Sequence, residues 1–143
     1  AWCFLAEEGF FPLLTLTLDR VQFRTLCCEI EEMCRRYKLK VTNRESLSHD
    51  DIFALYETTD ALIYPSTFES FGLPLIEARQ ANLPVLAPEL DYVRDLLDPE
   101  QTFDPKSPIS IAKAVKRFMG FYEPPLPLLD TEHFIQNIFE NIK

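Results

Sequence analysis

The sequence contains little glycine, little basic charge and no long apolar run. Only three of its 143 residues are glycine, at positions 9, 72 and 120, so it holds neither a glycine-rich dinucleotide fingerprint nor a Walker phosphate loop. The formal net charge is -9, whereas a nucleic-acid-binding surface needs a basic footprint, so we expect no nucleic-acid partner. No apolar stretch reaches the roughly 18 residues that a membrane-spanning helix requires.

The four cysteines and two histidines do not follow a metal-ligand pattern. A structural zinc site needs paired Cys-x-x-Cys or Cys/His clusters, so we expect no metal and no cofactor. Reduced thiols that act as small apolar residues predict a cytoplasmic compartment. The opening segment lacks the basic region of a signal peptide, so we expect no signal peptide there. The chain begins at Ala1 rather than Met, which is a hint that it is a fragment.

The spacing of apolar residues alternates between the period of a strand and that of a helix. Strands are predicted at 13–18, 39–43, 61–65, 84–88 and 101–105, and helices at 23–37, 48–56, 74–81, 91–97 and 107–119. Ser48 and Ser107 are predicted to cap helices, and Asn82 to end one in a left-handed conformation. Repeated strand–helix units predict an α/β fold over residues 1–123, a Rossmann-like domain with a doubly wound parallel sheet.

Residues 124–143 form a proline-rich connector followed by a predicted amphipathic helix. Phe134, Ile138 and Phe139 lie on the apolar face of that helix. We expect the helix to pack on the domain or on a partner. If it does not fold back on the sheet, its apolar stripe predicts a homo-oligomer.

The stretch PSTFESFGLPLIEA, residues 65–78, places two glutamates around Ser-Phe-Gly-Leu-Pro. Glu69 lies in a predicted loop after the strand at 61–65, and Glu77 lies one turn into a helix predicted to begin at Pro74. Open parallel sheets bind their ligands at this kind of position, outside the carboxyl ends of the strands.

The chemistry of this stretch suits a nucleoside diphosphate. Gly72 lets the backbone approach a ligand closely, and the free amides of Phe71 to Leu75 at the helix start form an anion site. Glu77 leans back toward that site and could accept hydrogen bonds from a ribose diol, while Glu69 could reach hydroxyls beyond the phosphates. On spacing alone, a solvated loop glutamate and a helix glutamate stabilised by the helix dipole remain the simpler explanation.

The longer stretch PSTFESFGLPLIEARQANLPV resembles the donor-binding motif of the family 4 retaining glycosyltransferases, which have the GT-B fold of two Rossmann-like domains. The resemblance covers about residues 13–120 and is strongest to bacterial enzymes that build cell-surface polysaccharides. It implies that the chain is the C-terminal, nucleotide-sugar-binding half of such a fold. The implied reaction transfers a sugar with retention from a nucleotide-sugar to a glycan or lipid-linked acceptor, without a metal.

The resemblance also implies a role for each residue of the motif. Glu77 would hold the ribose hydroxyls. Glu69 would be the catalytic-site residue that contacts the transferred sugar and positions the donor, acting neither as nucleophile nor as base. Backbone amides would meet the diphosphate and the sugar at Ser70, Phe71, Gly72 and Leu73.

The sequence departs from the family pattern in two ways. The basic Arg/Lys pair that the family supplies ahead of its donor motif is not recognisable, and Arg20 and Arg24 are expected to be solvated. The N-terminal acceptor domain is missing, so we expect the chain to be incomplete without an acceptor-domain chain. The alternatives are a non-catalytic nucleotide-sugar-binding or split-partner subunit, or half of a nucleotide-sugar epimerase. His49 has two interpretations, a catalytic base or a solvated surface residue.

Overall fold

The structure, a computed structural model, describes residues 1–123, so the connector and helix predicted at 124–143 lie outside the described residues. The helices are α1 (Trp2–Glu7), α2 (Arg24–Tyr37), α3 (His49–Tyr56), α4 (Leu73–Gln80), α5 (Asp91–Arg94) and α6 (Pro108–Phe118). The strands are β1 (Leu14–Leu16), β2 (Val41–Asn43), β3 (Leu62–Ile63), β4 (Val85–Pro88) and β5 (Gln101–Phe103). Within this described part, no helix combines the length and apolar character needed to cross a membrane.

All strand pairs are parallel, and they form two small sheets. β1 pairs with β2, with Thr15 opposite Thr42. β4 lies between β3 and β5, and its Leu86 is opposite Ile63 on one side and Gln101 on the other. Parallel strands joined by helices confirm the predicted α/β class.

The expected single sheet is divided in two for a topological reason. In the doubly wound order 3-2-1-4-5-6, the first strand lies at the centre and later strands add on both sides. The orders β2-β1 and β3-β4-β5 match the two flanks of that arrangement, and no strand among residues 1–123 occupies the centre. β1 and β3 each have one edge with no strand partner in the described part of the chain.

The core forms two layers, one on each face of β4, whose four residues are all buried. Side chains alternate across a strand, so neighbouring residues of β4 enter opposite layers. One layer joins Leu86 to α1, β5 and α6 through Leu5, Phe103, Ala112, Ala114 and Val115. The other joins Val85 and Ala87 to α4 and α5 through Leu75, Ala78, Leu83 and Val93. This second layer holds α4, and with it the motif, against the sheet.

Helix α1 was not predicted from the sequence. It has six residues and no side-chain cap, so its own sequence carries little helical signal. Tertiary contacts stabilise it instead: Leu5 is fully buried, and the Trp2 indole Nε1 donates a hydrogen bond to the Pro12 carbonyl at 3.0 Å. Lys116 of α6 adds an ion pair with Glu8 at 2.5 Å.

The predicted caps at Ser48, Asn82 and Ser107 are confirmed. The Ser48 and Ser107 hydroxyls accept hydrogen bonds from amides three residues later, at 3.3 and 3.2 Å. Asn82 has a φ of 53°, and the amide that follows it, of Leu83, donates to the Ala78 carbonyl at 2.9 Å, the pattern of a Schellman stop. The observed strands are shorter than predicted, and α5 ends at Arg94 rather than at 97.

Replacing Leu5 with alanine tests whether α1 belongs to the core. Removing a fully buried leucine side chain should lower the free energy of unfolding by about 2–5 kcal/mol. The exposed neighbour Glu7, changed to alanine, is the matched control and should alter it by less than about 0.5 kcal/mol. Urea denaturation of both variants measures this, and equal effects would contradict the placement of α1.

Candidate functional site

The motif spans the loop from Pro65 to Gly72 and the start of α4. The loop follows the carboxyl end of β3, and α4 begins at Leu73, one residue earlier than predicted. Because α4 is packed on β4, the loop is held at the carboxyl end of the three-stranded sheet. This is the edge at which open parallel sheets bind ligands.

Gly72 is the residue that lets the loop turn into α4. It caps the helix in the left-handed conformation, with φ 65° and ψ 41°. A Cβ built on Gly72 would lie 2.9 Å from Cδ1 of Leu96. Both the backbone conformation and this close approach favour glycine at the position.

The backbone amides around Gly72 point to an anion site smaller than the sequence suggested. The expected donors ran from Phe71 to Leu75, but Pro74 has no N–H, and the amide of Leu75 donates to the Gly72 carbonyl at 2.9 Å. The amides of Ser70, Phe71, Gly72 and Leu73 donate to no acceptor within residues 1–123. These four are therefore the donors available to a ligand.

Glu69 is fixed by a tyrosine that the sequence analysis did not single out. The hydroxyl of Tyr64, just after β3, donates to Oε1 of Glu69 at 2.5 Å. Burial raises the pKa of the Tyr64 hydroxyl, and the hydrogen bond to Glu69 raises it further, so the phenol stays protonated and remains a donor. Glu69 is half-buried and keeps its second oxygen for other partners.

A second tyrosine anchors the beginning of the loop. The hydroxyl of Tyr92, from α5, donates to the carbonyl of Ser66 at 2.8 Å. The Ser66 hydroxyl in turn donates to the Phe68 carbonyl at 3.0 Å. The loop is therefore tied to β3 by Tyr64 and to α5 by Tyr92. A buried tyrosine hydroxyl generally needs a partner, and this is the signal that could have identified both residues from the sequence.

Glu77 is largely enclosed and lacks hydrogen-bond donors. Its side chain is 20% exposed, and no donor within residues 1–123 bonds to its carboxylate. Among residues 1–123, the ionisable side chain in contact with this carboxylate is His49 of α3, whose Nδ1 lies 3.5 Å from Oε1 of Glu77. Tyr56 also faces this carboxylate: burial raises the pKa of the Tyr56 hydroxyl, and the charge of Glu77 raises it further.

Three of the four remaining site residues are exposed. Ser70 is exposed, Phe71 is 63% exposed and Leu73 is 57% exposed, while Gly72 is buried. The structure therefore gathers every residue predicted for the site on one loop and the first turns of one helix. The assignment of roles to these residues stays a prediction.

The model of the group 1 glycosyl transferases matches residues 21–123. The chain belongs to this family. The match includes the loop, α4 and the two carboxylates described above.

Curated relatives are also glycosyltransferases. Over 80 residues, 55% of this chain, it is 36% identical to the serotype-specific mannosyltransferase WbdA of Escherichia coli. Over 60 residues, 42% of this chain, it is 38% identical to the O-antigen chain mannosyltransferase RfbU of Salmonella typhimurium. The aligned parts make up 10% of WbdA and 17% of RfbU, so this chain spans a small fraction of each relative.

A solved structure shares the fold. Sucrose-phosphate synthase from Thermosynechococcus elongatus superposes with a TM-score of 0.61 at 25% identity, over 76% of this chain and 29% of that one. This likeness confirms the Rossmann-like, GT-B type of fold for the group 1 glycosyltransferase domain.

A cavity of about 450 Å³ lies elsewhere in the domain, between α2 and the β1–β2 sheet. Its apolar wall includes Leu16, Ile30 and Val41, and its rim carries Arg20, paired with Glu31 at 2.5 Å. Arg20 is thus engaged in an exposed ion pair. Among residues 1–123, no group of three or more His, Cys, Asp or Glu side chains is arranged to hold a metal ion.

Replacing Gly72 with alanine tests the turn that starts α4. Gly120→Ala is a matched control, because Gly120 also has a positive φ of 83° but, among residues 1–123, has no atom within 4 Å of an added Cβ. The control should lose about 1–2 kcal/mol of stability to left-handed strain alone. Gly72→Ala should lose more than the control, because the nearby methyl group of Leu96 must also move aside. Equal losses in thermal unfolding would contradict the close contact with Leu96.

Proposed function

We propose that this chain is the donor-binding half of a retaining, family 4 glycosyltransferase of the GT-B fold. The observation that carries the proposal is Glu77, whose side chain is four-fifths buried while its carboxylate has no hydrogen-bond donor among residues 1–123. No buried side-chain oxygen in this part of the chain lacks a partner, so the carboxylate oxygens are open to solvent, and ligand hydroxyls that reach them can donate. A ribose diol supplies two hydroxyl donors.

The donor would lie across the start of α4. Its diphosphate would accept hydrogen bonds from the free amides of Ser70, Phe71, Gly72 and Leu73, where the helix dipole also favours negative charge. The ribose would lie toward Glu77, one turn into the helix, and the sugar toward Glu69. Both carboxylates would then contact neutral hydroxyls, so that neither has to approach the phosphates.

Glu69 would position the sugar. Its Oε1 is held by Tyr64, so the orientation of the carboxylate is set before the donor arrives. In the retaining route proposed for this family, the leaving phosphate assists the incoming hydroxyl on the same face of the sugar. Glu69 would therefore contribute orientation and not a covalent step.

Mannose is the first sugar to test, with a glycan as acceptor. Two relatives carry the name mannosyltransferase, and one of them acts on the O-antigen chain. The chain covers only 10–17% of these relatives and 29% of the sucrose-phosphate synthase, so transfer would require the acceptor-binding half from elsewhere. Donor and acceptor must be aligned and water excluded before a sugar can be transferred.

A non-catalytic subunit that binds a nucleotide-sugar is the second candidate. This candidate is favoured because the basic Arg/Lys pair of the family is not recognisable in this sequence. Transfer to a glycan acceptor, on supplying an acceptor-domain chain, separates the two: a labelled glycoside supports the transferase, and donor binding without product supports the subunit.

Thermal unfolding with nucleotides tests the donor site in the chain as it stands. UDP, GDP and ADP are compared, and the preferred nucleotide at ~100 times its Kd should stabilise the chain by about 2.7 kcal/mol. Glu77→Gln should remove most of this gain, because the amide offers the diol a weaker acceptor than the carboxylate. Glu57→Gln, an exposed position in the same region, is the matched control and should retain the gain.

Two results would count against the proposal. The absence of stabilisation by all three nucleotides would mean that this half-site does not bind a donor. Stabilisation of Glu77→Gln equal to that of the unaltered chain would mean that nucleotides bind elsewhere, for example in the cavity between α2 and the β1–β2 sheet.

A further inference from the structure

His49 lies beside Glu77 although the two residues belong to different helices. The imidazole Nδ1 is 3.5 Å from Oε1 of Glu77, a distance within ion-pairing range but beyond a well-formed hydrogen bond. The His49 side chain is 69% exposed, so His49 is a surface residue. This agrees with the second of the two interpretations made from the sequence. Its contact with the site was not foreseen.

The position of the imidazole is set by local structure. The Ser48 hydroxyl caps α3 by accepting from the amide of Asp51 at 3.3 Å and donating to the Asp51 carboxylate at 2.5 Å, so His49 is the first residue of the helix. One turn later, Phe53 packs edge-to-face against the imidazole, with ring centroids 4.9 Å apart and an angle of 72°. These contacts hold the ring on the side of α3 that faces α4.

The two sides of the Glu77 carboxylate therefore differ. Oε1 faces a histidine nitrogen, and within residues 1–123 no side chain donates a hydrogen bond to either oxygen. A small closure of 0.5 Å or so would give His49 Nδ1 a hydrogen bond to Oε1 at ordinary length. In sites without a bound ligand, the donor–acceptor distances of such contacts are commonly long, and they shorten when the ligand binds.

We propose that His49 is the positioning residue for Glu77. It holds Oε1 through Nδ1–H and thereby presents the other oxygen of the carboxylate to the ribose diol of a nucleoside diphosphate. This inference rests on the proposed function and adds a residue to it. His49 acts through Glu77 and does not itself contact the diol.

The effect of His49 on affinity should be modest and specific for the diol. A surface contact between an imidazole and a carboxylate is worth at most about 1 kcal/mol, which corresponds to a three- to five-fold change in Kd. His49→Ala should therefore weaken binding of UDP or GDP about three- to five-fold. Binding of the 2′,3′-dideoxy counterpart, which has no diol for Glu77 to accept from, should not change.

Calorimetric titration of the 143-residue chain tests this with UDP, GDP and their 2′,3′-dideoxy counterparts. His49→Asn is the conservative variant, because the asparagine amide nitrogen takes the place of Nδ1, and it should bind within about two-fold of the unaltered chain. When Glu77→Gln is already present, His49→Ala should cause no further loss of nucleotide affinity, because His49 acts through Glu77.

The outcomes separate this inference from the function on which it rests. If the unaltered chain binds neither UDP nor GDP, or does not prefer them to the dideoxy forms, the proposed donor site fails and the inference fails with it. If that preference exists and is lost in Glu77→Gln but unchanged in His49→Ala, only the role of His49 is overturned. Equal weakening of diol and dideoxy ligands by His49→Ala also overturns it, because the effect would not pass through Glu77.

Discussion

The left-handed turn at Gly72 is the constraint on which the candidate site depends. It allows the chain to leave β3, pass through the loop and enter α4 with four amides that have no acceptor among residues 1–123. A methyl group of Leu96 lies so close to Gly72 that it would have to move if a Cβ were added there. The buried face of α4, through Leu75 and Ala78, then fixes the helix against the sheet. Glu77 follows one turn later, so its place relative to the amides is a consequence of the same turn.

An acidic chain can offer an anion site because the donors are backbone amides. The net charge is -9, and the two motif glutamates add negative charge close to the proposed phosphate position. In the proposed site, separation would resolve this conflict: the helix start would take the phosphates, while Glu69 and Glu77 would take neutral hydroxyls on either side. Within residues 1–123, the Tyr64 hydroxyl donates to Glu69, and His49 Nδ1 lies 3.5 Å from Glu77.

Local patterns in the sequence predicted most helices and strands. The features that were not predicted depend on contacts between residues far apart in the sequence. Ser48, Asn82 and Ser107 carry their structural role within a few residues, so their caps were predictable. Helix α1 depends on the burial of Leu5 against distant strands, and no short window contains that information. The division into two sheets was likewise invisible, because it concerns which strands become neighbours. Within the site, the sequence predicted Glu69 in a loop and Glu77 one turn into a helix, as the structure has them, whereas the contact with His49 joins two helices and has no local signal.

The most direct test of the central claim is a titration of the ¹⁵N-labelled chain with UDP and GDP, followed by amide chemical shifts in two-dimensional NMR. The account predicts that the largest shifts fall on the free amides of Ser70, Phe71, Gly72 and Leu73 at the start of α4, since these donors would bond to the diphosphate. Shifts concentrated instead on the residues lining the cavity between α2 and the β1–β2 sheet, or no shifts at all, would contradict it.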